Sequence, residues 1–179
     1  WDVKDGPRFD IGFTDTNGRK QPCPVIIHAS SFGSIERTLC AILENAAEVA
    51  DSGNPACFPL WLSPTQVRII PVGPDVLEYS DDLCRQLSQR NIRADVDDRD
   101  ESVGKRIRDA EREWVPYQLV VGKREMASGR LSVRIRTEET QREMRVEELT
   151  EVILGQTEGM PSRPLPLPER LSMRPIFYG

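Results

Sequence analysis

Apolar and polar residues alternate from residue 8 to residue 15 (Arg-Phe-Asp-Ile-Gly-Phe-Thr-Asp), break at Thr16-Asn-Gly, and return as the apolar run Pro24-Val-Ile-Ile. An Asn-Gly pair between two such runs predicts a hairpin. Beyond Gly33 the period lengthens, and Ile35, Leu39, Ile42, Leu43, Ala46 and Ala50 fall on one stripe of a helix. Ser34 is placed to cap that helix and Ser52-Gly-Asn-Pro to end it. A domain boundary is expected there, dividing residues 1–54 from residues 55–158.

From Phe58 onward, strand-like and helix-like patterns take turns. Strands are expected at 67–72, 92–96, 117–121, 131–136 and 143–146, and helices at 77–89, 102–113 and 147–154. Val103, Ile107 and Ala110 form the core side of the second helix. The run at 117–121 is apolar nearly throughout, which marks a central strand buried on both faces. The order βαβαβββα predicts an α/β fold with a mixed five-stranded sheet flanked by helices. Strand alternation sends Leu131, Val133 and Ile135 to one face and Ser132, Arg134 and Arg136 to the other. Two cations then project together, either towards a ligand or into solvent with Glu143 as a cross-strand partner. Residues 159–179 form a third segment. It carries five prolines and ends Pro175-Ile-Phe-Tyr-Gly, a composition that suits an extended arm or equally a disordered tail, with Ile176, Phe177 and Tyr178 as the residues by which an arm would dock.

Composition narrows the function classes. Hydrophobic residues make up 38% and charged residues 30% of the 179, and no apolar run approaches the roughly 20 residues that span a bilayer. Cysteines at 23, 40, 57 and 84 lack the short paired spacing of a thiolate metal site or a redox pair. Reduced thiols in a cytoplasm are expected. Net charge is -5, yet between Arg99 and Arg136 ten Lys or Arg stand against six Asp or Glu, a local excess of +4 that leaves -9 for the remainder. That polarity suits either a basic face for nucleic acid or a mixed-charge solvated surface. No Gly-rich phosphate loop follows any predicted strand.

Two residues stand out chemically. Arg37 falls in the first turn of its helix, where the helix dipole disfavours a cation by a few tenths to roughly 1 kcal/mol. That placement suggests an adjacent anion, although a solvated pairing with Glu36 or Asp51 accounts for it equally. His28 is the only histidine, and a lone histidine after a strand is more often a core or rim residue than a metal ligand.

The run Ile26-Ile-His-Ala-Ser-Ser-Phe-Gly-Ser-Ile-Glu-Arg37, with the hydrophobic helix behind it, resembles the third signature motif of class II aminoacyl-tRNA synthetases, in the form found in archaeal-type threonyl-tRNA synthetases. The following hundred or so residues resemble, in order, the anticodon-binding domain of the same family. Its core matches Asp97-Asp-Arg-Asp-Glu-Ser-Val-Gly-Lys-Arg-Ile-Arg108 and Val115-Pro-Tyr-Gln-Leu-Val-Val-Gly-Lys-Arg-Glu125. The resemblance implies a hairpin and helix from the class II catalytic domain in residues 1–54, then a whole anticodon-binding domain. It implies that His28 is one of three protein ligands of a zinc ion, the other two lying upstream. Gly33 and Ser34 would contact ATP, bound with Mg2+, and Arg37 would lie against the adenine and reach the phosphates as the catalytic arginine. Glu125 and Arg134 correspond to residues that hydrogen-bond anticodon bases, with Arg124 a neighbouring cation. Asp100 replaces a base-contacting asparagine, and an ionised carboxylate only accepts. Trp114 replaces a cation, and could stack on an unpaired base or cap the apolar stripe of its helix.

The implied reaction is ATP-dependent ligation of threonine to threonine tRNA by a cytoplasmic homodimer, with zinc selecting threonine through its hydroxyl. A chain of this size is expected to be the C-terminal part of such an enzyme, inactive alone because two earlier motifs are missing. The alternative is a non-catalytic tRNA-binding accessory protein that has kept a synthetase-like domain.

Overall fold

The computed structural model describes residues 1–30, 33–138 and 141–175. By packing, the chain divides into two compact units, Trp1–Glu44 and Asn45–Gly179. The division falls within a helix, earlier than the break expected at residues 52–55.

The first unit opens with a short helix, α1 (Asp5–Arg8), and a hairpin of β1 (Gly12–Thr14) and β2 (Lys20–Pro22), paired antiparallel with Phe13 opposite Gln21. The hairpin forms as expected, but its second strand precedes the apolar run at 24–27. The turn chemistry sets this register. Gly18 takes φ 77°, and the Asp15 carboxylate accepts from the backbone N–H groups of Asn17 and Arg19. The Arg19 bond, with help from the Gln21 amide, holds the Asp15 carboxyl below its ordinary range. Ile26 instead bridges Asp2. Helix α2 (Ile35–Asp51) follows. Its stripe is amphipathic as read, yet Ile35, Leu39 and Leu43 are exposed, as are Trp1, Phe9, Phe13 and Ile27.

The second unit is built on β3 (Val67–Pro71), α3 (Leu77–Gln89), β4 (Ala94–Val96), α4 (Val103–Arg112), β5 (Tyr117–Val121), α5 (Lys123–Ser128), β6 (Leu131–Ile135), β7 (Gln141–Met144) and α6 (Val146–Gln156). Sheet order is β4-β3-β5-β6-β7, with β5 central, as its apolar run requires. β4, β3 and β5 are parallel, while β6 and β7 return antiparallel. Val67, Ile69, Leu119, Val121, Leu131 and Val133 point to one face and pack with Leu83 and Leu87 of α3 and with Leu149 and Ile153 of α6. Each such side chain, fully buried, contributes roughly 1.5–3 kcal/mol.

The opposite face is polar where α4 meets it. Arg68 on β3 and Asp95 on β4, both completely buried, form a two-bonded ion pair at 2.9 Å. Just past α4, Trp114, at φ 57°, reverses the chain and sets its ring against Phe58, centroids 5.1 Å apart. Past β5 this face opens, with Ser132 and Arg134 half-buried and Gln141 and Glu143 exposed.

The Pro-rich segment is an arm docked along the edge strand β4, the first of the two outcomes its composition left open. Val96 N–H donates to Glu169 O (2.9 Å), Arg170 pairs with Asp81, Ser172 donates to Asp98 through N (2.9 Å) and Oγ (2.6 Å), and Arg174 reaches Asp95 (2.9 Å). Residues 176–178, the expected anchors, lie outside the described residues. Among those described, no helix is long and apolar enough to cross a membrane.

Candidate nucleic-acid interface

The carboxyl ends of the parallel strands β4 and β5 lead into three of the four residues expected to meet RNA, Asp100, Arg124 and Glu125; Arg134 lies on the polar face nearer the other end of β5, opposite Gln118. The loop at 97–102 leaves β4 and enters α4. Asp97, wholly buried, accepts two bonds from Arg99 (2.8 and 2.7 Å), and Arg99 also holds Asp109 at 3.1 Å. Arg106, buried on α4, donates to the Asp97 carbonyl at 2.8 Å. Ser102 caps α4 by accepting from Lys105 N–H. The loop is therefore pinned from below, and Asp100 is presented at its exposed crest.

At the end of β5, Gly122 turns the chain into α5, a helix that periodicity did not reveal because it is only six residues long. Its signals were local: Glu125 three residues after Gly122, and Gly129, at φ 64°, closing the far end. Glu125 Oε2 accepts the Gly122 N–H at 2.9 Å. One oxygen of this carboxylate is thus spent on the helix start. Arg124 is exposed and pairs with Glu143 at 2.6 Å, so the cross-strand partner expected for the β6 arginines goes to α5 instead.

Among the described residues, Arg134 stands on the open face with a single long contact, 3.4 Å to Glu111. Arg136, expected to project with it, is committed elsewhere. Its Nε and Nη1 donate to the carbonyls of Ala56 and Glu111, each at 2.7 Å, which ties the linker to α4. Beside Arg134 a cleft of about 620 Å³ opens between α4 and the sheet, and Arg108, Arg112, Gln118 and Gln141 also line it. Alternation along the strands could have placed Gln118 and Gln141 on Arg134's face; nothing in the sequence placed Arg108 and Arg112 over them.

In the first unit, Gly33 has φ 76°, and a Cβ there would meet Arg37 Cδ at 3.1 Å, so the arginine folds back over the glycine. Ser34 Oγ accepts from Arg37 N–H at 3.5 Å, the cap expected for α2. Arg37 is exposed and makes no ion pair among the described residues, so neither Glu36 nor Asp51 takes it. His28 is exposed. Among the described residues no cluster of three or more His, Cys, Asp or Glu could hold a metal ion. All four cysteines are free. Burial pushes the Cys84 thiol up to about 12, which leaves it an inert core residue.

Residues 66–156 match the model of the anticodon binding domain family. Over almost its whole length, the chain is 47% identical across 178 residues to the threonine–tRNA ligase of Pyrococcus furiosus and 50% identical across 179 residues to that of Methanothrix thermoacetophila. In each case it spans 28% of the relative's length. A solved structure, the RNA binding domain of threonyl-tRNA synthetase from Cryptosporidium parvum, superposes with a TM-score of 0.61 at 27% identity, covering 88% of this chain and 37% of that one. The chain belongs to the anticodon binding domain family, and its relatives are archaeal threonine–tRNA ligases.

Proposed function

We propose that the chain is the C-terminal portion of a threonyl-tRNA synthetase and that its second unit reads the anticodon of threonine tRNA. The observation that carries this reading is the position of Arg134. It is a lightly held guanidinium on an open sheet face, beside a cleft, in a domain of the anticodon binding family. A planar, always-charged donor fork suits the unstacked bases of an anticodon loop. Asp100, Arg124 and Glu125 follow the carboxyl ends of β4 and β5 and would supply acceptors and a cation to a neighbouring part of the loop.

Arg134→Ala is expected to weaken binding of a hairpin carrying the threonine anticodon loop by about 1–3 kcal/mol and to relax discrimination at one base. Fluorescence titration against cognate and non-cognate hairpins measures both. Equal loss on every hairpin would make Arg134 a phosphate contact, and unchanged binding would remove it from the interface.

The first unit carries the residues for the reaction centre. Gly33, Ser34 and Arg37 form the ATP-facing edge, since Arg37 is an exposed guanidinium with no ion pair among the described residues and folds over Gly33 beside the Ser34 cap. Mg2+ would accompany the ATP. His28 is the zinc ligand contributed by this segment, and the remaining ligands, the threonine pocket and the homodimer interface belong to the rest of the cytoplasmic enzyme. The exposed apolar stripe of α2 fits a helix that packs against such a body. Metal analysis of the purified 179-residue chain is expected to find no stoichiometric zinc, because one exposed imidazole does not make a site. One tightly held zinc per chain would show a ligand set of its own.

A further inference from the structure

We propose that Ser172 of the C-terminal arm is a positioning residue for RNA recognition: by holding the Asp98 carboxylate it fixes the loop that presents Asp100, so that a segment outside the matched domain at 66–156 takes part in selecting a base. The proposal rests on the anticodon-reading function above and names a contact through which that function is set.

The acids that follow β4 have three different fates. Asp97 is wholly buried and is bonded by Arg99 inside the loop. Asp98, half-buried, turns to the arm, where its Oδ1 accepts the Ser172 N–H at 2.9 Å and its Oδ2 accepts from Ser172 Oγ at 2.6 Å. Asp100 is exposed. Among the described residues Asp98 makes no other hydrogen bond, so a single serine takes both of its oxygens. A chain advances at most about 3.3–3.6 Å per residue, which keeps Asp100 within roughly 7 Å of the clasped residue. The loop is thus anchored to the body through Asp97 and to the arm through Asp98, and its crest inherits both constraints.

Ser172 is itself firmly placed. It is the middle residue of a short 3-10 turn, Leu171–Met173, where a backbone N–H has no partner within the turn and is free to donate elsewhere. Arg170 on one side pairs with Asp81. Arg174 on the other pairs with Asp95 and donates from Nε to the Pro168 carbonyl at 3.0 Å. These ion pairs and the bond from Val96 to Glu169 attach the arm to α3 and β4. Asp98 differs from those anchors because it belongs to the loop that faces RNA. Holding the arm does not require it, whereas holding the loop does.

Charge points the same way. Asp97, Asp98, Asp100 and Glu101 put four acids into five residues, a poor surface for a polyanion. An acid at 98 repels phosphate, so its presence beside an RNA contact is accounted for by what it binds within the chain. The arm answers with three arginines against one glutamate over 159–179, two of them flanking Ser172.

The test uses the whole chain and RNA hairpins carrying the threonine anticodon loop and its single-base substitutions. Asp98→Ala deletes a negative charge, which by electrostatics alone would tighten every hairpin alike. The positioning role gives the opposite sign. Cognate affinity is expected to fall roughly three- to ten-fold, the cost of ordering one or two side chains at the moment of binding, and the preference at one loop position to shrink with it. Ser172→Ala should lose in the same direction, and Ser172→Thr, which keeps the hydroxyl, should bind as the wild type does. Ser172→Ala/Asp98→Ala should be no worse than Asp98→Ala alone, since both changes remove one contact. The Glu101 amide, bonded to the Arg99 carbonyl at 2.8 Å, should exchange faster in Asp98→Ala while the Leu119 amide stays protected, the mark of a freed loop on an intact sheet. If the wild-type chain discriminates among hairpins and both single variants rank them as it does, the arm does not set the loop and the anticodon reading stands. Uniform tightening of all hairpins by Asp98→Ala would likewise overturn the positioning role and leave only a charge effect. If the wild-type chain shows no preference, the function and this inference fall together.

Discussion

Asp95→Ala is expected to lower the unfolding free energy by about 3–5 kcal/mol, the largest effect of any single polar substitution in the second unit. Asp95 and Arg68 are both completely buried on adjacent parallel strands. Asp95 also accepts from Thr65 Oγ1 at 3.0 Å and from Arg174 Nη2 at 2.9 Å. Removing the carboxylate leaves a guanidinium in the interior with one remaining partner, Glu113, which is half exposed and screened by water. Burial alone pushes the Arg68 guanidinium down; the bonds and charge of Asp95, then of Glu113, more than reverse this. Without Asp95 the arginine still keeps its proton, because a guanidinium is not deprotonated in proteins, and the cost of an unpaired buried charge falls on the folded state. Urea unfolding reads it as a lower midpoint at constant slope. Arg68→Met/Asp95→Leu is expected to recover most of the loss, because well-packed apolar residues replace buried ion pairs at little net cost. If Asp95→Ala loses less than about 1 kcal/mol, Glu113 and water have taken over the arginine, and the pair does not hold this face of the sheet.

This network explains what the sequence did and did not reveal. β5 was readable as the central strand because its apolar run is continuous, and α3 because its helical period is unbroken over thirteen residues. Arg68 and Asp95 gave no such signal: each looks like an outward polar residue on an alternating strand, and only the sheet order sets them opposite one another beneath α4. Position on a face likewise did not reveal commitment. Arg134 and Arg136 share a face by alternation, but two backbone carbonyls bind Arg136 and leave Arg134 as the available cation. The local excess of +4 overstated the basic surface for the same reason, since Arg99 and Arg106 serve the buried Asp97. Conversely, the stripe of α2 was read correctly, and its exposure shows that an amphipathic period demands a partner without naming it.

Deleting residues 162–179 is expected to cost about 2–4 kcal/mol of stability, the second large effect. The arm was legible as extended from its prolines, but its partners are far away in sequence and could not be read. It contributes the acceptor for Val96 N–H, the second cation on Asp95, both donors on Asp98 and an ion pair with Asp81. At roughly 0.5–1.5 kcal/mol per net hydrogen bond, with the surface pairs at the low end, losing these contacts falls in the stated range. The deletion also exposes the edge of β4, whose unpaired backbone groups then template association. Chemical unfolding measures the loss of stability, and hydrogen exchange locates it: the Val96 amide should lose protection while the Leu119 amide, in the central strand, keeps its protection relative to global unfolding. Because Asp98 lies in the loop that presents Asp100, the freed loop should also exchange faster than the core. Val96 protection that survives the deletion would mean that the arm lies against β4 without holding it, and that the Arg106 and Arg99 contacts to Asp97 suffice to fix the loop.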